Sequence, residues 1–343
     1  IPIARLACGW FAVLVGMLAR FPGACMAVDV PVVGMLVVTA IALVVLWVWW
    51  PKPSAKRWGV VGASFLTFWV VFALAAPWVA AIVAGNSVVM LDVGQGDAFL
   101  LRSRGKTVLI DTGNQERLLK EALARNHITK LDGVLITHGD DDHMGCLASL
   151  AGYVSVEQVF VANDALTCSC NNCETLRDAA VEVVGKSRMF GLNAGDVISV
   201  GDFSCEVLWP EGFQDEGGNG DSVCLRVDLD ADHDTHPEWQ ALFTGDAETD
   251  VIETLVSTGA VADVDLLKVG HHGSTKSLNQ KITQKLSPEI AFIGVGEYNR
   301  YGHPNAEILG ILEDAEVSVF RTDVDGDVSC KIEGKTMTIT TRT

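Results

Sequence analysis

The pattern of apolar and polar positions divides this chain in two. From Pro31 to Trp50 about 20 residues pass without a charge, ending in Trp47, Trp49 and Trp50, and a second charge-free run covers 58–84. A hydrocarbon core of about 30 Å takes about 20 apolar residues as a helix, and tryptophans gather at its interfaces, so both runs predict transmembrane helices. Residues 6–19, apolar but only about 14 long between Arg5 and Arg20, predict a short span or an interfacial helix. From 86 onward short runs of β-branched and aliphatic residues alternate with glycine turns and amphipathic stretches. Strands are predicted over 87–93, 98–102, 107–111, 133–137, 158–162, 205–209, 223–229, 241–244, 266–269, 290–295, 317–321, 328–332 and 337–340. Helices are predicted over 116–125, 249–258, 279–286 and 305–313. Such an alternation predicts an α/β protein in which helices cover a sandwich of sheets. The expected division is a membrane segment over 1–85 and one globular domain over 86–343. Residues 211–238, acidic and glycine-rich, are expected to be a flexible insertion.

Charge sharpens the division. Residues 1–85 carry five cations and one acid, Asp29, so that 86–343 holds −22 against the −18 of the whole. A field of that sign repels polyanions unless bound cations offset it. Lys52, Lys56 and Arg57 place the loop between the two apolar runs in the cytoplasm and the following domain on the far side of a membrane. The chain opens on Ile1 in apolar material with no basic leader, which predicts a piece of a longer chain rather than a signal peptide. Among the nine cysteines, Cys168, Cys170 and Cys173 form a CxCxxC cluster. That spacing suits either part of a zinc site lacking a fourth ligand or a local disulfide.

The chemistry-bearing residues gather at predicted strand ends. His138-Gly139-Asp140-Asp141-Asp142-His143 follows the apolar run Gly133-Val134-Leu135-Ile136-Thr137. Two imidazoles and several carboxylates within six residues are costly to desolvate without a purpose. Thr244-Gly245-Asp246 closes another strand, and Lys268-Val269-Gly270-His271-His272-Gly273-Ser274 closes a third. Histidine and aspartate presented from separate strand ends are the material of a two-metal hydrolytic site. His127, His233 and His236 have no such context and are expected to be solvated.

HxDxDH followed by TGD and HHGS resembles the metallo-β-lactamase superfamily, in a variant with Asp140 at the usual second histidine. Leu91-Asp92-Val93-Gly94-Gln95-Gly96-Asp97-Ala98, Leu109-Ile110-Asp111-Thr112-Gly113, the 268–274 segment and Tyr301-Gly302-His303-Pro304 together resemble ComEC, the membrane channel family of natural DNA uptake. The resemblance covers 86–343 and implies a metallo-β-lactamase αββα sandwich behind transmembrane helices, in a multi-pass membrane protein with an extracytoplasmic hydrolase domain. It also implies two divalent metals, zinc or manganese. His138 and Asp140 would hold the first, Asp142 and His143 the second, and Asp246 would bridge them. His271 or His272 would complete the second site; His271 is favoured because it directly follows a strand-end glycine, which leaves His272 to face substrate. Asp111 and Asp97 would support the site structurally. The position where the superfamily often has a further histidine falls at Asn219-Gly220-Asp221-Ser222, which offers none, so the first site is ligand-poor. Asn219, Ser222, Lys268 and Ser274 are candidates for substrate contact, and Asp142 and His303 for catalysis, with His303 either protonating a leaving oxygen or capping the next helix.

What this implies functionally is a nuclease-like phosphodiesterase acting on the DNA strand that is not imported, in company with the membrane and the DNA-uptake machinery. Two alternatives stand beside it: hydrolysis of another phosphoester, and a non-catalytic gate or docking piece of the channel.

Overall fold

The central strands of each sheet, unlike its edges, are apolar on both faces because each sheet is covered twice. Val88 and Met90 face the interior between the two sheets, while Val89 and Leu91 face a helical layer. The same alternation sends Phe99, Leu101, Val108 and Ile110 one way and Leu100 and Leu109 the other. The structure is a computed structural model that describes residues 85–342 apart from 233 and 235, together with helical positions 39, 42–44, 59, 61–65, 67–69 and 71. The helix expected at 6–19 lies outside the described residues, as does most of each expected span, 31–50 and 58–84. Among the described residues no helix is long and apolar enough to cross a membrane.

The first half of the domain supplies β1 (Asn86–Met90), β2 (Phe99–Ser103), β3 (Lys106–Ile110), β4 (Lys130–Leu131), β5 (Gly133–Leu135), β6 (Ser155–Val156), β7 (Val159–Ala162) and β8 (Met189–Leu192). The second half supplies β9 (Val197–Val200), β10 (Phe203–Trp209), β11 (Cys224–Leu229), β12 (Trp239–Phe243), β13 (Leu266–Lys268), β14 (Ile290–Ile293) and β15 (Ser318–Arg321). A closing hairpin, β16 (Asp327–Glu333) and β17 (Thr336–Arg342), joins the first sheet, whose order is β17-β16-β1-β2-β3-β5-β7-β8. The second sheet runs β15-β14-β13-β12-β11-β10-β9, and β4 pairs with β6 apart from both. Each large sheet is antiparallel on one side and parallel on the other. The parallel parts run from β3 through β5 and β7 to β8, and from β12 through β13 and β14 to β15.

Helices α1 (Glu116–Arg125), α2 (Asp141–Met144) and α3 (Asn171–Val184) lie on the first sheet through Leu119, Leu123, Met144, Leu176 and Val184. On the second sheet lie α4 (Thr249–Ser257), α5 (Gln280–Leu286) and α6 (Ala306–Asp314), through Ile252, Leu255, Ile282 and Leu312; α7 (Thr322–Asp325) leads into β16. The result is the αββα sandwich of the metallo-β-lactamase fold. Because crossovers in the parallel halves return over the helical layers, the carboxyl ends of β3, β5, β12, β13 and β14 meet at one edge, where loops are free to carry ligands.

Two expectations need correction. α3, β8 and β9 lie in 163–204, where the sequence pattern predicted no element, because α3 opens on Asn171-Asn172 and a cysteine and its apolar stripe is only Cys173, Leu176, Ala180 and Val184. Nor is 211–238 a flexible insertion throughout, since β11 lies inside it. The turn before β11 is organised by the buried Asp221, whose carboxylate accepts the backbone N–H of Gln214 (2.7 Å), Asp215 (2.9 Å) and Gly217 (2.9 Å).

Phe99 of β2 meets Phe243 of β12 edge to face, with centroids 5.4 Å apart, at the point where the two sheets close above the site. Both rings are buried, so Phe99→Ala is expected to lower unfolding stability by about 3–5 kcal/mol, measured by chemical denaturation followed through near-UV circular dichroism.

Candidate metal centre

The HGDDDH segment turns directly from β5 into α2, and that turn is held from below. Asp111, at the end of β3 with a left-handed φ of 59°, accepts the Thr137 N–H and the Thr137 hydroxyl, both at 2.7 Å. Its Oδ2 also lies 2.8 Å from His143 Nδ1. That contact sets the imidazole with Nδ1–H donating and leaves the Nε2 lone pair free. His143 Nε2 faces Asp246 Oδ1 at 3.2 Å and, like His138 Nε2, is buried without a hydrogen-bond partner. The loop between β1 and β2 closes the other side, where the Asp97 N–H donates to the Asp142 carbonyl at 3.1 Å. Gly96, at φ 135°, runs so close to that carbonyl that a Cβ would collide with it.

His271 and His272 both adopt left-handed backbone, at φ 44° and 51°. Two such residues in succession throw their side chains to opposite sides. His272 is turned inward, its side chain 2% exposed, with Nδ1 donating to the Gly294 carbonyl at 2.7 Å. Its Nε2 lies 3.2 Å from Asp142 Oδ2 and 3.5 Å from Asp246 Oδ2. His271 is turned to the rim, 29% exposed, beside Glu248 (3.6 Å) and the Asn219 amide (3.2 Å). The expectation that His271 is the inward ligand is therefore corrected: proximity to Gly270 mattered less than the double left-handed turn.

The ligating atoms of Asp97, His143, Asp246 and His272 all lie within 4.8 Å of one another, and all four residues are buried. Asp142 stands over them and Asp140 lies 3.6 Å from His138 Nε2, where the Asn172 amide holds it at 3.0 Å. Lys268 is buried as well, its ammonium paired with Asp97 and 3.4 Å from Asp246, and it donates to the Gly245 carbonyl. It is thus a counter-charge inside the cluster rather than a substrate contact. Ser274 is a turn residue whose hydroxyl accepts the Lys276 N–H (3.4 Å), and it has no place in the pocket. Ser222 supports Asp246 by accepting its N–H at 3.1 Å.

The electrostatics fit a divalent cation. Burial opposes charge on His143, yet the Asp246 and Asp111 carboxylates hold its imidazole well above the usual histidine range. Burial likewise opposes charge on His272, yet Asp246 and Asp97 push it up to about 10. Such shifts mark a surplus of buried negative charge facing the imidazole nitrogens, of which His143 Nε2 and His138 Nε2 are buried without a hydrogen-bond partner. Asp97, Asp142, Asp246, His143 and His272 are the residues that would hold one cation, with His138 and Asp140 beside them for another.

The cluster opens to solvent through a pocket of about 190 Å³. Gln95, Asn219, Tyr301 and His303 stand at its mouth over Asp142, Asp246 and His272. His303 Nδ1 is buried without a hydrogen-bond partner, and burial followed by the charges of His271 and His272 lowers its pKa. Sequence reasoning passed over Gln95, although it sits inside the 91–98 motif, and gave Asp97 only a supporting role. His272→Ala is expected to lower metal affinity at least about tenfold and His271→Ala to change it less than about twofold, by competition titration against a chromogenic chelator; Asp111→Asn is expected to fall in the roughly 10- to 100-fold range of lost outer-sphere support.

A family model described as the metallo-beta-lactamase superfamily matches residues 91–166. The chain is 28% identical over 267 residues to ComE operon protein 3 of Bacillus subtilis (strain 168), covering 72% of this chain and 33% of that protein. It is 25% identical over 267 residues to Competence protein ComA of Neisseria gonorrhoeae, covering 73% and 35%. The chain therefore spans about a third of the length of these relatives. Among solved structures, Igni18, a metallo hydrolase from Ignicoccus hospitalis, superposes with a TM-score of 0.49 at 15% identity, over 72% of this chain and 100% of that one. With its ordered motifs assembled at one sheet edge, the chain carries a metallo-β-lactamase-fold domain, and its likeness to competence proteins supports a protein of the ComEC family.

Proposed function

We propose that residues 86–343 form a metal-dependent phosphodiesterase that acts, nuclease-like, on the DNA strand left outside during uptake, on the extracytoplasmic side of a membrane. The observation that carries this reading is the buried carboxylate–imidazole cluster at the floor of an open pocket with aromatic residues at its lip. Tyr301 is 70% exposed and stacks on His303 with centroids 5.7 Å apart, and Tyr298 of the same loop is 88% exposed. Exposed rings beside a phosphoester site suit the bases of a single strand, which present a π-face whatever the sequence. Asn299 shapes that loop, donating to the Gly296 and His303 carbonyls and accepting the His303 N–H at 3.0 Å.

A divalent metal in the cluster supplies Lewis-acid polarisation of a phosphoryl oxygen and acidifies a water. The protein's own residues do the rest. Asp246 and Asp142 orient the attack from the floor, Asp142 standing 3.2 Å from His272 Nε2. His303 stays neutral and holds its ring at the lip for a phosphate or leaving oxygen. Gln95 is fixed by the Gly296 N–H, which it accepts at 3.2 Å. The acidic field of the domain opposes a polyanion, so productive contact with DNA depends on the bound cations.

The full chain, loaded with manganese or zinc, is expected to cleave single-stranded DNA, with Asp142→Ala and His143→Ala each at least about 100-fold slower. Tyr301→Ala is expected to raise KM for single strands by roughly 5- to 100-fold with kcat little changed, the equivalent of one lost stacking contact. Bound metal with turnover of a generic phosphodiester but no DNA cleavage would instead support another phosphoester as substrate. A chain that binds no metal would support a gate or docking role.

A further inference from the structure

Cys168, Cys170 and Cys173 lie outside the centre described above, and their three sulfurs converge within 4.8 Å of one another. In sequence the cluster lacks a fourth ligand. The structure supplies one from a distant loop: the Glu216 main-chain carbonyl oxygen lies 3.1 Å from Cys170 Sγ and 3.9 Å from both Cys168 Sγ and Cys173 Sγ. In tetrahedral zinc, with Zn–S about 2.3 Å and Zn–O about 2.0–2.2 Å, ligand atoms stand roughly 3.4–3.8 Å apart, and the three sulfur–oxygen distances bracket that spacing.

Two further features are independent of that distance match. The carbonyl is aimed by strained backbone, since Glu216 has a left-handed φ of 61° and Gly217 follows at 82°, so close that a Cβ there would press on Cys173 Sγ at 3.0 Å. Two of the sulfurs are also provided for as anions, while burial pushes the Cys173 thiol up. Cys170 N–H donates to Cys168 Sγ and Cys173 N–H to Cys170 Sγ, each at 3.4 Å, and Cys170 caps the amino end of the 14-residue α3. N–H donors on sulfur at the positive end of a helix favour thiolate, the form that binds metal. A disulfide would use two of the three sulfurs, strand the third, and leave the aimed carbonyl without a purpose.

We propose that Cys168, Cys170, Cys173 and the Glu216 carbonyl form a structural zinc site, separate from the hydrolytic centre, that pins the 211–221 loop to α3. Binding displaces the thiol protons to solvent. The site reaches the hydrolytic centre through the backbone: Gly217 accepts the N–H of Gly139, inside the HGDDDH segment, at 3.4 Å, and the same loop carries Asn219 to the pocket edge and leads into Ser222, which supports Asp246. Zinc here therefore holds the wall of the pocket without touching substrate.

The test uses the full chain, purified under reductant, in the Asp142→Ala/His143→Ala background, so that its outcome is independent of any cleavage assay. About one zinc per chain is expected to remain in that background by elemental analysis, to be released on mercurial titration of the thiols, and to disappear in Cys168→Ser/Cys170→Ser. Because the cysteine variant could unfold, the intact chain is also exchanged with cobalt, where the proposal requires a near-ultraviolet thiolate-to-cobalt charge-transfer band and tetrahedral visible absorption. Cobalt uptake without the charge-transfer band overturns it, as does three freely titrating thiols with no zinc, or a Cys–Cys cross-link in peptides of the non-reduced chain.

Discussion

The structure is organised around the cost of burying carboxylates. Asp97, Asp142 and Asp246 meet within a few ångströms at the end of a sandwich whose interior is largely apolar, with Lys268 and two imidazoles set against them. A buried carboxylate without a partner costs several kcal/mol, so each neighbour is arranged to satisfy one. Lys268 answers Asp97, the His143 and His272 imidazoles face the Asp246 carboxylate, and a cation is the remaining partner the imidazole nitrogens invite. The surrounding packing, from the Phe99–Phe243 contact outward, keeps this expensive group in place.

The support below the site works by choosing tautomers. Asp111 takes one nitrogen of His143 and the Gly294 carbonyl takes one of His272, so in both rings Nε2 is turned toward the cluster. The two partners come from different sheets, Asp111 after β3 and Gly294 after β14. The centre therefore depends on the sheets being registered against each other, and not on any single loop. That explains why residues far apart in the chain share one small volume.

The lip of the pocket has a different character from its floor. The floor is rigid, buried and acidic, whereas the lip is aromatic and exposed, built on the Asn299 turn and on the loop that the cysteine cluster pins. A division of this kind suits a site whose chemistry is fixed while its contact with a polymer is adaptable. It also gives the thiolate site a role at the wall of the pocket, remote from the reaction.

Much of this was legible in the residue order. The layered α/β sandwich followed from short β-rich runs that alternate with amphipathic stretches, a pattern local enough to read along the chain. The HGDDDH segment, Asp246 and the His271-His272 pair were legible because ligands at strand ends interrupt apolar runs. What the chain could not reveal by itself were matters of direction and distance. His272 rather than His271 turns inward because two successive left-handed residues reverse the expected side, a backbone choice with no residue signature at that pair. Lys268 reads as a substrate contact, yet it shares the inward face of β13 with Leu266 and so ends up against Asp97. Cys168, Cys170 and Cys173 were visible as a cluster, but their fourth partner is a carbonyl more than 40 residues away that only the folded loop brings to them.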